Sequence, residues 1–170
     1  MNVSEFGELP MRFAYADPPY VGQANRYVEK QEVDQRALVE RLVAEFPDGW
    51  ALSLSSPSLR EILAYCPADV RVMAWVKPFA VFKPNVGLAY AWEPVILRGG
   101  RRITRGQPTV RDWVTANITL KKGLVGAKPE GFCKWLLDVF NVEPGDELVD
   151  MFPGTGLVSR IFAERMTVAA

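Results

Sequence analysis

Residues 11–20, MRFAYADPPY, join a short apolar stretch to two consecutive prolines. The first six residues are rich in apolar and aromatic side chains, which predicts a buried strand. Proline has no backbone N–H and fixes its own φ, so Pro18 and Pro19 exclude both a helix and a central strand. The stretch therefore predicts a strand that ends in a rigid turn carrying Asp17 and Tyr20.

Strand and helix patterns alternate along the rest of the chain. Predicted strands cover residues 11–16, 50–55, 70–76, 88–97 and 147–151, and predicted helices cover residues 32–46, 130–140 and 157–165. Ser56, as N-cap, and Pro57 are expected to open a further short helix, and Pro94 is expected to mark a sheet edge or a bulge. This order predicts an α/β sandwich with a mainly parallel sheet, in a single domain over residues 1–170.

The turn at residues 17–20 carries groups that can orient a weakly nucleophilic amine. In open α/β sheets, ligands bind beyond the carboxyl ends of the strands, where this turn is expected. The Asp17 carboxylate and the Pro18 carbonyl can each accept one N–H bond from the exocyclic amine of a base and direct its lone pair at a methyl donor. Tyr20 can stack on a base flipped out of a duplex. A rigid turn without a function is the alternative.

A second turn, residues 150–156 with the sequence DMFPGTG, is predicted where a strand runs into a helix. Gly154 and Gly156 allow backbone amides to approach an anionic or carboxylate-bearing ligand at a helix N-terminus. An ordinary strand-to-helix turn explains a Gly-x-Gly pair equally well. Asp150 is either a ligand contact or a residue of the approach to the helix.

Together the two turns resemble the motifs of the S-adenosylmethionine-dependent amino-methyltransferases, which methylate adenine N6 or cytosine N4 in DNA. The resemblance covers nearly the whole chain, and the motif order is similar to the permuted β-type arrangement. It implies a circularly permuted, Rossmann-like methyltransferase fold and S-adenosylmethionine as the cofactor. The residues that it implies are Asp17, Pro18, Pro19 and Tyr20 for catalysis, and Asp150, Phe152, Gly154, Gly156, Lys128 and Pro129 for cofactor binding.

The resemblance also bears on the substrate and on possible partners. Residues 92–94, WEP, are similar to the family's strand after the target-base pocket, and aspartate at position 17 leans toward adenine N6 rather than cytosine N4. RNA adenosine is a further alternative, although RNA enzymes usually carry tryptophan where this chain has Tyr20. The family's ribose-binding acid has no clear counterpart here. A non-catalytic nucleic-acid-binding subunit is therefore a second hypothesis, with a homodimer or partner subunit covering an exposed sheet edge.

Charge is unevenly distributed in a chain that has no net charge. The basic segment, residues 98–128, carries eight basic side chains and one acid, and it is predicted to be a loop region that contacts nucleic acid. The predicted contacts are Arg98, Arg101, Arg102 and Arg105, and a solvated loop is the alternative. The chain has no histidine, which excludes Ser-His and Cys-His catalysis, and no metal site is predicted. Without an apolar run of membrane-spanning length or a secretory signal, a cytoplasmic protein is expected.

Overall fold

The computed structural model describes residues 9–22, 32–79, 84–118 and 127–168. The strands in these ranges are β1 (Arg12–Ala16), β2 (Gly49–Ser53), β3 (Arg71–Val76), β4 (Trp92–Gly99), β5 (Trp113–Thr115) and β6 (Glu147–Asp150). The helices are α1 (Gln35–Glu45), α2 (Leu59–Leu63), α3 (Glu130–Phe140) and α4 (Leu157–Val168), with a 3-10 turn (Ser56–Ser58) before α2. Within the described ranges, every helix is too short or too polar to span a bilayer.

The strands form one sheet in the order β5-β3-β4-β2-β1-β6. β1 pairs in parallel with β2 and with β6, and β3 pairs in parallel with β5. β4 lies between β2 and β3 and is antiparallel to both. The sheet is therefore mainly parallel, as the sequence predicts, and the parallel strands end at one common edge.

Helices cover both faces of the sheet because side chains alternate along each strand. Phe13 and Tyr15 of β1 point to the face that packs against α3 and α4, whereas Ala14 and Ala16 point to the face that packs against α1. The Phe13 ring stacks on a ring of α3, that of Phe140, with centroids 4.9 Å apart. Full burial of one such ring stabilises the fold by about 1.5–3 kcal/mol.

Helix ends are set by local side chains and backbone conformation. The Asp34 carboxylate accepts a hydrogen bond from the Ala37 backbone N–H at 3.0 Å and so caps α1. Asn141 ends α3 with φ of 53°, in the left-handed region that asparagine tolerates better than most residues. The predicted short helix after β2 also forms, but its N-cap is Ser55, one residue earlier than expected.

Two predictions about the centre of the chain are wrong. The basic segment is not wholly a loop, because its first two residues end β4 and Trp113–Thr115 form the edge strand β5. Three residues are too few for a strand pattern to be visible in the sequence. Pro94 lies on an interior strand rather than at an edge or bulge, and its carbonyl accepts the Leu54 N–H at 3.3 Å. Proline has no N–H to donate toward β2, but β2 ends at Ser53, before the position opposite Pro94. Only one hydrogen bond, at the end of the β2–β4 ladder, is therefore lost.

Candidate active site

The two predicted turns meet at the common edge of the sheet. Asp17 follows β1 directly, and Asp150 is the last residue of β6. Tyr15 is paired in register with Asp150, and the Met151 N–H donates to the Tyr15 carbonyl at 2.9 Å. The antiparallel strand β4 begins at the same edge and brings Glu93 there. The hydrogen-bond ladder of the sheet therefore positions three acids around one point.

Two carboxylates and two ammonium groups form a charge cluster at this point, consisting of Asp17, Lys77, Glu93 and Lys128. The Lys128 Nζ atom lies 2.8 Å from each Asp17 carboxylate oxygen and 3.6 Å from Glu93 Oε2. Lys77 Nζ donates to Glu93 Oε1 at 2.9 Å. The cluster is thus neutral as a whole, which is the condition under which buried charges are tolerated.

Aromatic rings enclose the Lys128 ammonium. Its Nζ lies 5.4 Å from the Trp75 ring centroid, 5.7 Å from that of Tyr20 and 5.9 Å from that of Phe132. The Lys128 side chain is only 5% exposed. Pro129 is the N-cap of α3, so the helix that supplies Phe132 begins directly after the lysine. The rings shield the Lys128 ammonium from water, and electrostatic interactions there are stronger than at the protein surface.

The surroundings shift the pKa values of the acidic groups in different directions. Burial raises the pKa of Asp17, although the neighbouring Lys128 charge opposes the shift. Burial also favours a higher pKa for Glu93, but the charges of Lys128 and Lys77 outweigh it and lower that pKa below its usual value. Burial and the two carboxylates raise the pKa of Tyr20 well above its usual range. Tyr20 therefore stays protonated, and its hydroxyl donates a hydrogen bond to Glu93.

The turn after β6 has the features of a site for a ligand that carries an ammonium group. Asp150 Oδ1 is buried and accepts no hydrogen bond from the described residues, whereas Oδ2 lies 3.5 Å from the Ser159 hydroxyl. A buried carboxylate oxygen without a donor is costly, and a bound N–H donor would satisfy it. Gly154 and Gly156 have φ of 49° and 70°, in the left-handed region that glycine adopts most readily, directly before α4. Asp150 thus fits such a group, whereas Lys128, the other charged residue predicted for cofactor binding, pairs with Asp17.

A narrow cleft lies on the α1 side of the proline turn. It is lined by Pro18, Pro19 and Tyr20, together with Gln35 and the serines at and after the end of β2. Gln35 Oε1 is buried there and accepts no hydrogen bond from the described residues. Gln35 is the first residue of α1, and nothing in the sequence indicates that its side chain would be buried in a cleft.

The sequence predicted no side-chain role in the site for Glu93 or Gln35, although residues 92–94 resemble the strand after the target-base pocket. It left Lys77, at the expected ligand edge, as either a phosphate contact or the end of a strand. Glu93 is a single acid in an otherwise apolar strand, and this anomaly was visible in the sequence. Lys77 is a basic residue at a strand end, a position compatible with many roles. Their contacts with each other and with Lys128 depend on the sheet order, which the sequence did not specify.

The structure separates the arginines at the start of the basic segment from the charge cluster, whereas Lys128, the last residue of the segment, belongs to the cluster. β4 runs antiparallel, so it carries Arg98 to the edge opposite Asp17, beside Trp50 near the start of β2. Arg98 is paired with Asp69 at 2.9 Å. The Arg101 side chain is 3% exposed, and its Nη2 lies 2.6 Å from Asp146 Oδ1, so the prediction that it contacts phosphate is wrong.

Comparisons with known proteins identify the fold. No protein-family model matches the chain, and no curated sequence is detectably similar to it. The crystal structure of the M1.HpyAVI–SAM complex is similar with a TM-score of 0.62 at 12% identity, covering 93% of this chain and 79% of that one. A structure of M1.HpyAVI alone gives a TM-score of 0.59 at 11% identity, covering 93% and 77%. The chain therefore has the same fold as M1.HpyAVI, a Rossmann-like α/β sandwich, and the predicted fold class is confirmed.

Proposed function

We propose that this chain transfers a methyl group from S-adenosylmethionine to the exocyclic amine of a base in DNA, at adenine N6. One observation carries the proposal. The proline turn and the Asp150 turn follow hydrogen-bonded neighbouring strands and lie at the same edge of the sheet. A base amine held at the first turn and a methyl donor held at the second would be adjacent. The M1.HpyAVI structure, solved with SAM, has the same fold.

The residues of the proline turn would orient the amine. The Asp17 carboxylate and the Pro18 carbonyl would each accept one N–H, which directs the nitrogen lone pair at the donor. The Tyr20 hydroxyl is tied to Glu93, and this bond fixes the ring for stacking on the base. The choice of adenine over cytosine N4 rests on the aspartate at position 17, by resemblance. The choice of DNA over RNA rests on the tyrosine at position 20 in the same way.

The residues of the second turn would hold the cofactor. S-adenosylmethionine supplies an electrophilic methyl group on a positively charged sulfur. Asp150 Oδ1 would accept a hydrogen bond from its ammonium group, and Phe152, Gly154 and Gly156 would shape the turn around it. Asp150 is suited to this role because Oδ2 faces Ser159, while Oδ1 is buried and has no hydrogen-bond donor among the residues that the structure describes.

Replacement of Asp150 by alanine should weaken the binding of S-adenosylmethionine at least about tenfold, because one charge-assisted hydrogen bond is lost. The measurement is calorimetric titration of the purified wild-type and variant proteins. Ser159→Ala is the matched control, since it removes only the long contact to the other oxygen. Equal affinities in wild type and Asp150→Ala would remove Asp150 from the cofactor site.

Labelled methyl transfer then tests the reaction itself. With the cofactor bound, the label should enter adenine-containing DNA and be absent from DNA that lacks adenine. Label found in cytosine would identify cytosine N4 as the target, and label found in RNA would identify RNA as the substrate. Binding of DNA without transfer to any nucleic acid would favour the non-catalytic subunit.

The activity should fall on the acid side at a pH above the ordinary aspartate pKa of 3.8, because burial raises the pKa of Asp17. Only the ionised carboxylate accepts hydrogen bonds with both oxygens, so activity is present above the raised pKa and is lost as the pH falls through it. The measurement is the pH profile of kcat/KM. In Asp17→Asn, which does not titrate, this acid limb should disappear from whatever activity is left. An unchanged limb would assign it to another group.

Arg102 and Arg105 are the members of the predicted nucleic-acid contacts that lie exposed on the surface. We propose that they contact phosphates of the DNA that flanks the target base. They follow the end of β4, at the far edge of the sheet from Asp17, and so would not read the base itself.

A further inference from the structure

We propose that Lys128 occupies the place of the target amine on Asp17 in the free protein, and that it moves onto Glu93 when a base enters. This inference rests on the proposed function, because it assumes that Asp17 is the acceptor for the amine. Lys128 would then be a positioning residue, which blocks the acceptor until substrate arrives.

The first argument is competition for the same lone pairs. The Lys128 ammonium lies 2.8 Å from both Asp17 oxygens, with the side chain 5% exposed. An ammonium and an exocyclic amine are both N–H donors, and both would bind the same carboxylate. While the ammonium lies against both oxygens, an entering amine would meet a positively charged donor on the acceptor that it needs.

The second argument is that a destination for the ammonium is already built. Glu93 Oε2 lies 3.6 Å from Lys128 Nζ, and a displacement of about 1 Å would bring the two atoms into hydrogen-bond range. Lys77 and the Tyr20 hydroxyl hold the Glu93 carboxylate in place. The pKa of Glu93 is lowered by the lysine charges, so this acceptor is ionised at neutral pH.

The third argument concerns the charge that the reaction creates. The amine lone pair forms the new N–C bond, the electrons of the broken C–S bond remain on sulfur, and the nitrogen carries positive charge until it releases a proton through Asp17 to water. An ammonium on the same carboxylate would repel that charge in a water-poor site. Transfer of Lys128 to Glu93 reduces this repulsion and leaves the Asp17 charge facing the amine.

The proposal predicts opposite effects for substitutions at the two ends of the exchange. Lys128→Met should lower KM for an adenine-containing oligonucleotide roughly tenfold, because one charge-assisted hydrogen bond no longer has to be broken. Glu93→Gln should raise KM by a similar factor, because the ammonium loses its charged destination, although glutamine still offers an acceptor to Tyr20 and Lys77. In the double variant KM should return toward that of Lys128→Met.

The experiment measures KM and kcat by labelled methyl transfer in alkaline buffer, which keeps Asp17 ionised in the absence of the lysine. Lys134→Met is the matched control, since it removes an exposed lysine from α3 and corrects for the general effect of charge on DNA binding. Thermal unfolding checks that each variant folds. If Lys128→Met does not fold, Lys128→Arg serves instead and should raise KM, because arginine pairs more strongly with a carboxylate.

The exchange would be refuted if KM were higher in Lys128→Met than in wild type. It would also be refuted if KM of the double variant were as high as that of Glu93→Gln. If the wild-type protein transfers no methyl group, the proposed function fails. The exchange is then decided by the anisotropy of a labelled adenine-containing oligonucleotide with S-adenosylhomocysteine present. Tighter binding by Lys128→Met than by wild type supports the exchange, and weaker or equal binding refutes it.

Discussion

Replacement of Asp17 by alanine should reduce the rate of methyl transfer by about a hundredfold to a thousandfold, the loss typical when a preorganised electrostatic contact to the reacting group is removed. The protein should nevertheless fold. Lys128 loses its partner at 2.8 Å but still has Glu93 at 3.6 Å, so the buried ammonium is not left without a carboxylate. We expect a cost of at most about 1–2 kcal/mol in the free energy of unfolding, below that of an isolated buried charge.

The measurement combines labelled methyl transfer with denaturant unfolding of the same preparation. Asp69→Ala is a suitable control, since it removes an exposed acid that pairs with Arg98 at the far edge of the sheet. An unchanged transfer rate in Asp17→Ala would rule out the assignment of Asp17 as the amine acceptor. If Asp17→Ala abolishes both methyl transfer and folding, the assignment is tested with Asp17→Asn instead, because asparagine preserves the shape of the side chain.

Replacement of Arg101 by alanine should lower the free energy of unfolding by about 3–5 kcal/mol, because it leaves a buried carboxylate without its cation. The Asp146 side chain is fully buried, and its Oδ1 lies 2.6 Å from Arg101 Nη2. That carboxylate also accepts the backbone N–H groups of Met11 and Glu143, both at 2.8 Å. Loss of the arginine therefore disturbs the start of β1 and the connection between α3 and β6 together.

Urea unfolding of Arg101→Ala beside Arg102→Ala provides the measurement, because the neighbouring Arg102 is exposed. The Arg102 variant should differ from wild type by less than about 0.5 kcal/mol. If Arg102 and Arg105 contact phosphates, their joint replacement should instead reduce the salt dependence of DNA binding. Equal stability of Arg101→Ala and wild type would show that the buried ion pair contributes nothing to folding.

Much of the fold was predictable from local patterns. The strand predicted at residues 11–16 is largely apolar up to Asp17 and is followed by two prolines. Both the strand and its end can therefore be predicted from neighbouring residues. The predicted bounds of helix α3, residues 130–140, agree with the observed ones, because its apolar residues recur at helical spacing. The two turns of the site were recognisable for the same reason, since each is a short contiguous motif at the end of a strand.

The contacts that decide the chemistry were not predictable in this way. Lys128 reaches Asp17 across 111 residues of chain, and Arg101 reaches Asp146 across 45. A sequence shows that a residue is basic, but not whether its charge lies in solvent or against a buried carboxylate. This is why Arg101 was assigned to the surface, and why the ion pairs that Glu93 makes with Lys77 and Lys128 were not predicted.

The neighbouring positions of β1 and β6 have a consequence for the proposed site. Adjacent strands are held about 4.8 Å apart by main-chain hydrogen bonds, whatever side chains they carry. If Asp17 accepts the base and Asp150 the cofactor, the separation between the two turns is set by the backbone. Loops at the edge of the sheet could then be lengthened, shortened or replaced without changing that separation.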